Sequence, residues 1–187
     1  METSITKQQL FSKDDLKKLI IPLLFEQALA ITVGMADTVM ISSAGEAAVS
    51  GVSLIDMFNN LIISVLAALA TGGAVVTSQF LGAGKKEDAC KSAKQLIVSS
   101  VCITIGISIL VMVFCNGIIS LFFGKIEADV FHNAVIYMMI SALSFPFLAL
   151  YNSCAALFRS MGNSQITLKV SVVENIINIG GNALGVY

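Results

Sequence analysis

Five apolar runs, joined by short polar segments, constrain this chain more than any other feature. They cover 19–42, 47–81, 93–123, 130–158 and a last stretch from 166 to Tyr187. A helix rises about 1.5 Å per residue, so roughly 20 residues cross a hydrocarbon core of about 30 Å. Inside a bilayer every backbone N–H and C=O must be paired within the protein, which leaves helices or a closed barrel. Runs this long, without barrel-strand alternation, select helices. With 56% hydrophobic and only 12% charged residues, the chain lacks the charges that coat a soluble globule. The expected fold is all-α, a polytopic membrane helical bundle. Residues 19–187 form the bundle behind a polar, amphipathic lead over 1–18. The run after that lead is too long for a signal h-region, so it reads as the first span.

Charge placement orients the bundle. Lys7, Lys13, Lys17 and Lys18 precede the first span. Lys85, Lys86, Lys91 and Lys94 follow the second, and Arg159 and Lys169 follow the fourth. The opposite side carries only Lys125 of the eleven basic residues. The positive-inside rule then places the N terminus in the cytoplasm. A net charge of −1 without a basic patch argues against a nucleic-acid partner. The four cysteines (90, 102, 115, 154) have no CxxC spacing and read as packing residues or free thiols. His132, alone and without Cys or His neighbours, reads as a solvent-facing residue; no metal centre or other cofactor is expected. No Ser-His-Asp set or HExxH occurs, and Gly82–Lys86 lacks the first glycine and the Ser/Thr of a phosphate loop. An enzyme is therefore not expected. With no Trp, an interfacial aromatic belt would draw on Phe and the three Tyr.

Polar residues at bilayer depth carry the functional signal, because they are costly to insert. Span one holds Glu26 and Asp37, span two Asp56, Asn59 and Asn60, and span five Glu174, Asn175, Asn178 and Asn182. Helical rise puts Asp37 about 27 Å above Leu19, and Asn178 and Asn182 about 18 and 24 Å above Ile166. Asn178 and Asn182, four apart, share a face. Span two enters from outside, so Asp56 and Asn59 fall in the same outer half. One carboxylate and several amide oxygens can therefore converge there, donors that suit a hard cation or a proton. Interhelical hydrogen bonding is the alternative role for the Asn residues. Glu26 lies about 10 Å above the inner end, in an apolar packing site or facing an inward cavity. Asp56 and Asn175 are further cavity candidates. Gln79 is an inner candidate and a possible partner of Glu174. Pro146 is expected to kink span four, and Gly72–Gly73 to mark a thin or bent point in span two.

Several segments carry a family resemblance. Pro22, Glu26-Gln27 and Gly34-Met35-Ala36-Asp37-Thr38-Val39-Met40 resemble the first helix of the multidrug and toxic compound extrusion (MATE) transporters. Ala44 to Leu54, Ala68 to Gly84, Phe158 to Ser164 and Asn175-Ile176-Ile177-Asn178 continue the likeness in order. The resemblance implies twelve helices in two six-helix bundles. It also implies export of cationic or amphipathic organic compounds in exchange for Na⁺ or H⁺ across the plasma membrane. It places an ion site on Asp37, with Asn178 and Asn182 from the fifth helix. Some members carry a second Asp where this chain has Asn182, which leaves Na⁺ binding or a single-acid proton site open. The fifth run reaches Tyr187 without a charged flank. The chain is thus expected to be about five of twelve helices, lacking the carboxy-terminal bundle. Two other readings stay open: a lipid-linked saccharide flippase of the same superfamily, and a membrane assembly protein in which Asp and Asn only join helices.

Overall fold

The computed structural model describes residues 13–42 and 45–186, the side chains of 15 and 182–186 excepted. Five helices follow one another: α1 (Lys13–Ile41), α2 (Glu46–Gly82), α3 (Lys86–Phe123), α4 (Ala128–Ser160) and α5 (Ser164–Val186). No strand occurs among the described residues. Short connections make successive helices antiparallel. The connections after α2 and α4 therefore share one end of the bundle with the start of α1, and this end holds most of the basic residues.

Those two connections are built alike. Gly84 N–H bonds to the Leu81 carbonyl, and Lys85 N–H to that of Phe80. In the other, Gly162 N–H bonds to the Arg159 carbonyl, and Asn163 N–H to that of Phe158. This is the Schellman arrangement, which pairs carbonyls left over at a helix end. It requires a left-handed residue, and the two glycines sit at φ 76° and 81°, where a side chain would be strained.

Helices α1 to α4 are each long and apolar enough to cross a membrane. The expected fifth span is present as a helix, but its described length does not reach that apolarity. The cause is its charged and amide residues, Gln165, Lys169, Glu174, Asn175 and Asn178, and part of the helix's polarity forms a stripe. Ser164, Thr167 and Ser171 are buried on one face of α5, and Asn175 and Asn178 continue the same spacing. Helices α1 and α3 also begin earlier than their apolar runs, at Lys13 and Lys86. Apolarity marks where hydrocarbon starts, whereas a helix continues through Lys- and Leu-rich sequence as long as its backbone bonds are satisfied.

Helices α2, α3 and α4 pack as a trio, and α1 packs along α5. The two groups touch lightly, through α4 with α5 and α1 with α2. The core lies inside the trio. Toward the far end Ile55, Val111, Cys115, Ile119, Ala134, Met138, Ala142 and Phe145 form a buried cluster. Toward the basic end Ala70, Ala74, Leu96, Ala156 and Leu157 form another. Lipid is as apolar as these side chains, so such contacts hold by close packing rather than by escape from water. Small residues make that packing possible. A methyl added at Gly51 would lie 3.0 Å from the backbone of Val130 and Ala134 on α4. One added at Gly73 would overlap Leu96 Cδ1 on α3. Gly73 is thus a thin point, as expected, within an unbroken α2. Pro146, in contrast, sits inside a continuous α4 with no non-helical residue. The break in a long helix falls instead at Phe114 of α3 (φ −103°, ψ 15°), three residues before Gly117. The outer faces are apolar: Met35, Val39, Leu121 and Phe147 are all well exposed, as a lipid-facing surface requires.

Candidate functional site: a polar cavity between the helix pair and the trio

The seam between the two groups opens into a cavity of about 790 Å³ at the end away from the basic turns. Its first wall is α1, which presents Val33, Gly34, Asp37 and Thr38. The stripe Pro22, Glu26, Val33, Asp37 follows helical spacing, so the turn that buries Val33 also turns Asp37 inward. The second wall is α5, with Glu174, Asn175 and Asn178. Facing them are Ser53, Asp56, Asn59 and Asn60 of α2, and Tyr137, Ser141 and Ser144 of α4.

The trio wall is ordered by hydrogen bonds. Tyr137 Oη donates to Asp56 Oδ1 at 2.8 Å, and Asn59 Nδ2 donates to Ser141 Oγ at 3.1 Å. Both bonds join α2 to α4, more than 80 residues apart in sequence. Asn59 Oδ1 stays buried without a partner. On the opposite wall Asn175 Nδ2 is buried without one. Buried amide groups left open in this way cost free energy unless something fills them. Three acids line the cavity, Asp37, Asp56 and Glu174, and no Lys or Arg does so among the described residues. A space lined by carboxylates, amides and hydroxyls, and free of cationic side chains, holds a negative potential and oxygen donors that suit a hard cation rather than an anion.

Of the residues singled out from sequence, Asp37, Asp56, Asn59, Asn175 and Asn178 line this one cavity. The side chain of Asn182 lies outside the described residues. Two candidates lie elsewhere. Gln79 is exposed near the basic end of α2, too far down the helix to reach a cavity at the other end. Glu26 is buried against α4, and one of its oxygens stands 3.7 Å from Arg159 Nη1. Glu174 faces the cavity, not Gln79. Tyr137 and Ser141 were missed. Tyr137 supports a cavity acid instead of serving an interfacial belt, and the signal for it was a phenol in the middle of an apolar helix, where an unpaired hydroxyl is costly.

Comparison with known proteins gives a consistent picture. The family model MatE matches residues 22–184. The "Uncharacterized transporter YisQ" of Bacillus subtilis (strain 168) is 30% identical over 191 residues, covering 97% of this chain and 42% of that protein. The "Probable multidrug resistance protein NorM" of Thermotoga maritima is 25% identical over 172 residues, covering 89% and 36%. A solved MOP superfamily transporter from Pyrococcus furiosus superposes with a TM-score of 0.84 at 20% identity, over 92% of this chain and 38% of that one. The chain therefore spans less than half the length of these relatives.

Proposed function

The chain belongs to the MatE family of membrane transporters, and on that premise we propose that it acts within a secondary antiporter. That antiporter exports organic compounds, cationic or amphipathic, in exchange for Na⁺ or H⁺ across the plasma membrane. The chain supplies the amino-terminal bundle, with its N terminus in the cytoplasm, and a carboxy-terminal bundle completes the transporter. The observation that carries this reading is the placement of Asp37 in a cavity whose other walls hold Asn175, Asn178, Asp56 and Asn59. The coupling ion binds at Asp37, with Asn178 and Asn182 as its partners.

The mechanism follows from the charge. An ionised carboxylate in a dry seam is costly, so the seam stays open and wet while Asp37 is bare. A cation or proton on Asp37 removes that cost and favours the arrangement in which α1 and α5 close on the trio. A ligand shifts a two-state equilibrium only by its differential affinity for the states. Ion and organic substrate therefore exchange if each prefers a different state of the seam. The flippase reading calls for Arg or Lys lining the cavity to hold a pyrophosphate, and the acidic lining disfavours it. The assembly reading predicts that Asp37 can be neutralised without functional loss.

The test is Asp37→Asn in the full-length protein. Efflux of an organic cation, measured in vesicles with and without a Na⁺ or pH gradient, is expected to lose its gradient dependence while the protein still reaches the membrane. Gradient-driven efflux at the normal rate would overturn the proposal.

A further inference from the structure

Helix α3 lies on the side of the trio away from the cavity. It packs on α2 and α4, and none of its residues lines the cavity. Val98, Ile105 and Ile109 are well exposed on its outward face, and their seven- and four-residue spacing makes them one apolar stripe. Lys91 and Lys94 are exposed on the same stripe, seven and four residues before Val98, with exposed Gln95 beside them. No ion pair holds either lysine among the described residues. Lys85 and Lys86, at the Gly84 turn, are exposed just beyond. From 85 to 94 four lysines stand against two acids, Glu87 and Asp88. Glu87 shares the stripe but lies about 16 Å before Val98, farther out toward water. The connection at the other end of α3 has the opposite balance, with Lys125 against Glu127 and Asp129.

These spacings match the dimensions of a lipid. Val98 to Ile109 spans about 16 Å by helical rise, close to one leaflet's half of a hydrocarbon core of about 30 Å. Lys94 then stands about 6 Å before the hydrocarbon, at headgroup depth, and Lys91 about 10 Å before it. Flexible apolar stems let both ammonium groups reach one phosphate. A phospholipid lying along α3 thus puts its chains on Val98, Ile105 and Ile109 and its headgroup beside Lys91, Lys94 and Gln95. A zwitterionic headgroup brings an ammonium of its own, which the lysines repel, whereas an anionic one is attracted as a whole. We propose that this stripe of α3 is a binding site for an anionic phospholipid in the leaflet at the basic end. The Gly82–Lys86 run, which fails as a nucleotide-phosphate loop, extends the positive potential from that site toward water. The site is separate from the cavity and stands whether or not Asp37 proves to be the coupling site.

Photolabelling of the full-length protein tests it. The protein is placed in phosphatidylcholine vesicles doped with phosphatidylglycerol or phosphatidylcholine that carries a photoactivatable group in its acyl chain, and labelled peptides are mapped by mass. Residues 98–109 are expected to be labelled more by phosphatidylglycerol than by phosphatidylcholine. Lys91→Gln and Lys94→Gln should each cut that preference by roughly fivefold. Arginine at both positions should keep it, and Lys125→Gln at the opposite end should leave it unchanged. Added inorganic phosphate should not displace the label, because it has no chains to lie on the stripe. Equal labelling by the two lipids in the unaltered protein, a preference that survives loss of both lysines, or displacement by inorganic phosphate would each overturn the proposal.

Discussion

The trio α2–α4 and the pair α1–α5 share one composition class but are held together by different means. The trio encloses every member of the two apolar clusters, with Gly51 and Gly73 bringing backbones close. On the pair, the buried positions include Glu26, Ser164, Thr167 and Ser171, with Pro22 and Val33 as apolar exceptions, whereas the polar residues buried in the trio, such as Thr104 and Ser153, accompany two apolar clusters. Packed apolar cores have one good arrangement and resist change. Polar contacts in a seam depend on the charge state and occupancy of their members. The comparison assigns rigidity to the trio and responsiveness to the pair, on opposite sides of one cavity.

Four substitutions can break or sharpen this contrast, read as unfolding free energies in lipid or detergent. The largest effect is expected for Phe145→Ala, whose fully buried ring fills the trio; such truncations cost about 3–5 kcal/mol. Next comes Gly51→Ala, where the new methyl meets α4 backbone at 3.0 Å; overpacking of this kind costs about 1–3 kcal/mol. Tyr137→Phe removes the bond to Asp56, and membrane hydrogen bonds are worth about 0.6 kcal/mol on average. It should therefore leave stability nearly intact while altering transport. The smallest effect belongs to Gly34→Ala on α1, where the methyl meets nothing within 4 Å. Relief of glycine's conformational entropy makes that change neutral or stabilising by up to about 1 kcal/mol. Equal losses at Gly34 and Gly51 would erase the distinction between pair and trio.

The helical class, the number of helices and the convergence of Asp37, Asp56, Asn59 and Asn178 on one cavity were legible in the sequence. Apolar run length and helical rise are local quantities, and these residues fall at matching depths. The partition into pair and trio was not legible. All five runs are greasy, and what separates them is which small or polar residues lie on the inward stripe. The partner of Glu26 was also hidden, since Arg159 lies 133 positions away at the end of another helix. The proline rule pointed to α4, yet the irregular residue is Phe114. A helix can keep its course through one missing N–H when neighbouring helices support it.

The turn at Gly162 has a consequence for how motion in this molecule could be seen. Because the Arg159 carbonyl is tied to the Gly162 amide, the main chain beneath that guanidinium is a fixed datum on the trio. A reporter placed there would act as a surveyor's benchmark: displacement of Glu26 measured from it would record travel of the first helix, uncontaminated by drift of the fourth.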